Sequence, residues 1–79
     1  MYQIDSAIRN TLVEHSKIIF VTMNYMTYMR LRDRGDIELI PSEKMNASLR
    51  GYPVKIVETV EEATVRFYVN SSTWTEVLI

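Results

Sequence analysis

Residues 3–16 place Ile4, Ala7, Ile8, Thr11, Leu12 and His15 at the three- and four-residue spacing of one helical face, with Asp5, Arg9 and Asn10 on the other. The pattern predicts an amphipathic helix. Ile18-Ile19-Phe20-Val21-Thr22-Met23 follows, β-branched and aromatic with no polar alternation. A strand with one solvated face would alternate, so this run predicts a central strand covered on both faces. Asn24 is a good N-cap. Residues 25–34 then predict a short helix, with Tyr25, Tyr28, Met29 and Arg32 along one stripe and Met26 and Arg30 beside it. Gly35 supplies the stop, because it tolerates positive φ.

Residues 36–40 read as a short strand with Ile37 and Leu39 on one face, broken by Pro41 and Ser42. Residues 43–49 form a helical turn or an ordered loop, Met45 and Leu49 lying four apart. Residues 52–58 read as a strand, with Pro53 at its start or on an edge because proline lacks an N–H. Val60-Glu61-Glu62-Ala63 is a polar connection, and Thr64-Val65-Arg66-Phe67-Tyr68-Val69 alternates with Val65, Phe67 and Val69 on one face. The two runs are expected to pair as an antiparallel hairpin. Asn70-Ser71-Ser72 marks a turn. The end, residues 73–79, is apolar enough either to add a strand to its own sheet or to pair with another chain. The expectation is one α+β domain over residues 1–79, with an N-terminal helix, a buried central strand, a short second helix and a C-terminal antiparallel hairpin.

Composition narrows the function classes. A chain of 79 residues supports one domain, which buries only about 60–65% of its unfolded surface. With no cysteine and one histidine, disulfides, zinc fingers and iron–sulfur sites are excluded, and no cofactor is expected. Small domains without such staples gain stability by association, which points toward a homo-oligomer. Nine Lys and Arg stand against ten Asp and Glu, a balance that argues against a nucleic-acid binder. The opening residues carry no basic segment followed by an apolar run, and Ile18-Ile19-Phe20-Val21 is too short to span a bilayer. A cytoplasmic protein without membrane contact is therefore expected, and the Asn46-Ala47-Ser48 and Asn70-Ser71-Ser72 sequons are read as chance matches.

The stretches Phe20-Val21-Thr22-Met23-Asn24, Tyr25-Met26-Thr27-Tyr28 and Leu49-Arg50-Gly51-Tyr52-Pro53-Val54 carry a resemblance. Over residues 18–69 the chain resembles the axial-domain core segment of tailed-phage major capsid proteins. That segment runs as an apolar strand, a helix opened by asparagine, and a Leu-x-Gly-x-Pro-Val strand. The chain is too short for a capsid protein and has no counterpart of the long spine helix or extended arm. The resemblance implies a small phage-type protein, acting in a host cytoplasm, that uses a similar α+β core. A shared core does not carry shell building with it.

The candidate chemistry is sparse. His15 lacks a nucleophile partner and fits a helix-end histidine near the last carbonyls. Arg30, Arg32 and Arg34, with Lys44 and Arg50, form the densest positive region. Arg30 and Arg34 lie one turn apart, and they serve either an anion site or a solvated face paired with Asp33, Asp36 and Glu38. Tyr25, Tyr28 and Tyr52, with Met23, Met26, Met29 and Met45, are either core or an adaptable binding surface. Arg34-Gly35-Asp36 matches an adhesion tripeptide, but the glycine already has a structural task as a helix stop. Glu58, Glu61 and Glu62 fit a solvated turn better than a metal site. Trp74, with Val77, Leu78 and Ile79, is buried by its own sheet or marks an interface. The expected binding residues are Tyr25, Tyr28, Arg30, Arg34, Tyr52 and Trp74, and the expected function is non-enzymatic. The protein would bind itself and a host protein, as a host-takeover inhibitor or assembly factor. The alternatives are an oligomeric binder that sequesters a small nucleotide-like anion, and a minor virion component.

Overall fold

The computed structural model describes residues 2–40 and 46–79. Pro41, Ser42, Glu43, Lys44 and Met45, and with them the expected strand break and the start of the 43–49 segment, lie outside the described residues. The element order is α1 (Tyr2–His15), β1 (Phe20–Met23), α2 (Tyr25–Asp33), β2 (Ile37–Ile40), β3 (Asn46–Leu49), β4 (Tyr52–Ile56), β5 (Thr64–Tyr68) and β6 (Trp74–Leu78).

The helix α1 forms one residue earlier than the predicted 3–16, and His15, expected on its apolar face, is exposed at its last turn. Ile4 and Thr11 are buried and Ala7, Ile8 and Leu12 half-buried. It stops at Ser16, which takes φ 69° and donates its N–H to the Leu12 carbonyl. The helix α2 begins as expected, with the Thr27 N–H donating to Asn24 Oδ1 at 2.9 Å. It ends at Gly35, whose φ of 82° lets the Gly35 and Asp36 amides reach the Arg32 and Leu31 carbonyls. Its inward stripe differs from the expected one. Thr27, Tyr28 and Leu31 are buried, whereas Tyr25, Met26 and Arg32 are exposed. In so short a helix Leu31, the only branched aliphatic residue, sets the rotation, and the amphipathic tyrosines and methionines accommodate it.

The six strands form one mixed sheet in the order β2-β3-β4-β1-β5-β6. β1 pairs parallel with β4 and antiparallel with β5, Val21 lying opposite both Val54 and Phe67. The expected 52–58/64–69 hairpin is therefore not a pair, because β1 lies between its two strands. The most apolar strand takes the interior, where both of its edges find ladder partners. The C-terminal hairpin is instead β5 with β6, so residues 74–78 add a strand to their own sheet. Residues 46–49 are a strand and not a helical turn. Arg50 and Gly51, at φ 52° and 89°, form a two-residue turn of the kind that closes a twisted hairpin, and it pairs Leu49 with Tyr52. Val60, in the connection expected to be polar, is buried.

Both helices pack on one face of the sheet. Val21, Met23, Ile37, Leu49, Val65 and Phe67 meet Ile4, Tyr28 and Leu31 in one core. The opposite face carries no helix among the described residues, so β1 is not sandwiched between elements as expected. Its outward Thr22 is buried all the same, because its ladder neighbours Lys55 and Arg66 lay their stems beside it. Among the described residues no helix is long and apolar enough to cross a membrane.

Candidate interaction surface

Strand alternation sends Phe20, Thr22, Lys55, Arg66, Tyr68, Trp74, Glu76 and Leu78 to the helix-free face. Phe20 and Tyr68, directly opposite across the ladder, stack with ring centroids 4.6 Å apart and planes at 16°. Tyr68 meets Trp74, its other ladder partner, at 5.1 Å. Lys55 Nζ lies 4.2 Å from the Phe20 centroid and the Arg66 guanidinium 4.7 Å from that of Trp74. The result is a row of rings standing side by side with a cation at each end, both contacts favourable through the ring quadrupole. Glu76 Oε1 accepts from Trp74 Nε1 at 3.3 Å and lies 3.5 Å from Arg66 Nε. The Thr22 hydroxyl, buried in the middle of this face, has no hydrogen-bond partner among the described residues.

The row ends at β6, the last strand of the sheet. Trp74 is 40% exposed and Leu78 70%. The Val69 and Ile79 amides donate to Thr73 and Ala63 carbonyls across the hairpin, alternating along the ladder direction, and this sets its phase. Thr75 and Val77 bond inward to β5, so the main-chain groups of Trp74, Glu76 and Leu78 point out from the sheet. Beside that edge runs a groove of about 430 Å³, walled by Gln3, Ser6, Asn10 and Glu14 of α1 and floored by Thr75, Glu76 and Val77. A hydroxyl pair holds the helix there: Thr11 donates to the Ala7 carbonyl at 2.8 Å, and its oxygen lies 2.6 Å from that of Thr75.

The sequence-predicted binding residues fall in three places. Tyr25 and Arg30 are exposed on α2 and Arg34 at its C-cap, and Tyr28 is buried in the same helix, its ring centroid 6.2 Å from that of Tyr25. Tyr52 is half-buried against the helix-side core. Trp74 stands on the opposite face. Tyr25 and Met26 share the end of the sheet where β1 and β4 finish, with exposed Ile56 and Val57. Phe20, Lys55, Arg66 and Tyr68 were not singled out as binding residues by sequence, whereas Leu78 was named beside Trp74 in the apolar end of the chain. The signal for them was the alternation in 64–69, whose outward set of Arg66 and Tyr68 is cationic and aromatic where solvent alone would favour small polar residues.

The remaining candidates have local partners. His15 is exposed, 3.4 Å from Glu14. Glu58 accepts the Tyr25 amide at 3.1 Å, a carboxylate at the N-terminus of α2. Asp36 of the Arg-Gly-Asp tripeptide is held by Arg50 at 3.0 Å, and the same guanidinium donates to Asp5 at 2.9 Å. Burial pulls the Arg50 pKa down, but its hydrogen bonds and proximity to both carboxylates outweigh this and leave it raised. No group of three or more metal-ligating side chains occurs among the described residues.

Comparison with protein-family models, with curated proteins and with solved structures finds no match to this chain.

Proposed function

We propose that this chain is a non-enzymatic interaction protein that binds a protein partner along β6 and the helix-free side of its sheet. The observation that carries the reading is the exposure of Trp74 and Leu78, 40% and 70%, next to an edge with no strand beside it among the described residues. A partner that covered either side chain would gain about 1.5–3 kcal/mol from it. The ring row supports a protein partner over a nucleic acid. Its faces are turned on one another and on Lys55 and Arg66, so the stacking area a base would use is largely taken. Glu76 also offsets Arg66. A small anion framed by Arg30, Arg34, Tyr25 and Tyr28 has less support, since Tyr28 is buried. The capsid-segment resemblance gives the proposed binder a setting as a phage assembly factor or host-takeover inhibitor.

The test is affinity capture in the native cell with three chains: unmodified, Trp74→Ala with Leu78→Ser, and Val13→Ser as an exposed control on α1. The reading expects a partner recovered with the first and third and lost with the second. Equal recovery with all three overturns it.

A further inference from the structure

We infer that the outer edge of β6 takes up an extended segment of another protein as a seventh strand, and that this segment carries a lysine or arginine at the groove-facing position beside Glu14. The inference rests on the interaction reading above and specifies its mode. Three observations converge on it. The first is the ladder phase, which aims the main-chain donors and acceptors of Trp74, Glu76 and Leu78 away from the sheet. Unpaired edges of this kind are templates for strand addition.

The second is the absence of the usual protection. β6 reads Trp-Thr-Glu-Val-Leu, without proline or lysine, and its single charge, Glu76, is turned onto the face by Trp74 and Arg66. The third is the groove. From Gln3 to Glu14 the α1 wall is about 16 Å long at ~1.5 Å per residue, the length of about five strand residues. A strand laid there alternates its side chains between two surroundings. One set lies on the helix-free face beside Trp74 and Leu78, where apolar residues fit. The other set enters the groove and meets Gln3, Ser6, Asn10 and Glu14.

Charge selects the occupant. The groove residues include the Glu14 carboxylate and no lysine or arginine, so a basic side chain is complementary there. A second copy is not. Antiparallel β6–β6 pairing would bring Thr75 and Val77 of the copy, and no basic side chain, to the groove side.

The experiment titrates the full chain with two blocked hexapeptides, one alternating lysine with valine and one alternating glutamate with valine, and follows backbone amides by NMR and hydrogen exchange. The lysine peptide is expected to shift the Glu76 and Leu78 amides and slow their exchange at least about tenfold, with the glutamate peptide inert. Glu76→Pro, which removes one outward N–H and no main-chain bond to β5, should weaken binding about tenfold relative to Glu76→Gln, which controls for the carboxylate's contacts with Arg66 and Trp74, and Glu14→Lys should do so without touching the ladder. Thermal unfolding of the variants verifies that they fold. Equal response to the two peptides, no response at millimolar peptide, or protection of the same amides by self-association without peptide each overturns the inference. If partner capture depends on Trp74 and Leu78 while both peptides leave the β6 amides unchanged, strand addition fails and the interaction reading survives.

Discussion

Two threonines of the same size meet opposite fates in this fold. The Thr22 hydroxyl is buried under Lys55 and Arg66 with no partner among the described residues, whereas the Thr27 hydroxyl accepts the Ala63 amide at 2.8 Å. Ala63 itself sits at φ 65°, in a turn that this bond holds. A buried polar group without a partner costs free energy, and removing one member of a buried pair strands the other. Thr22→Val should therefore stabilise the protein by about 1 kcal/mol, and Thr27→Val should destabilise it by about 1–3 kcal/mol. Urea unfolding of the two variants checks the pair, and a loss of stability in both would contradict the account of Thr22. Neither fate can be read from the sequence, since both residues occupy plausible positions in an apolar strand and a helix.

Among the elements, Arg50 has the widest reach. It lies in the β3–β4 turn at positive φ and ties that turn to Asp5 of α1 and to Asp36 after α2. Two effects are superposed there, and they separate by substitution. Asn tolerates positive φ, so Arg50→Asn removes the ion pairs while easing the turn, whereas Arg50→Ala removes the pairs and keeps the strain. Arg50→Ala should cost about 1–2 kcal/mol and Arg50→Asn clearly less, and the stability of both should depend less on salt than that of the parent. Thermal unfolding at low and high ionic strength measures it.

The elements themselves were largely legible. The α1 face, the Asn24 cap, the Gly35 stop and the alternation of 64–69 are local signals, and all four are where the pattern puts them. What failed was long-range. Nothing within 52–69 announces that β1 will come between its two strands, because pairing partners are chosen by the whole sheet. The rotation of α2 was missed because aromatic and thioether side chains serve core and surface alike. The Arg50-Gly51 turn was missed because arginine is an unusual residue at positive φ. Of the candidate surface only Trp74 and Leu78 were named in advance. Their companions are ordinary residues until the ladder aligns Phe20, Tyr68 and Trp74 and brings Lys55 and Arg66 to the ends of the row.

For the whole molecule, protection is expected to be graded across the sheet. β1 has ladder partners on both sides and buried residues on both faces, and β6 has one partner and an open edge. Amides of β1 should exchange only with global unfolding, and the Trp74, Glu76 and Leu78 amides orders of magnitude faster. Native-state hydrogen exchange of the isolated chain reads this directly. Slow exchange at those three positions without added peptide would mean that something already covers the edge.

The place of β1 has a further consequence in the order of synthesis. A ribosome delivers this strand before either of the two segments that flank it, β4 and β5. The nascent chain must therefore hold its most apolar strand without ladder neighbours until β4 and β5 have been made, with α1 and α2 as cover. A chain halted before Thr64 would leave Phe20, Val21 and Thr22 bare along one side. Such a fragment should aggregate or recruit a chaperone, while the chain through β6 does neither.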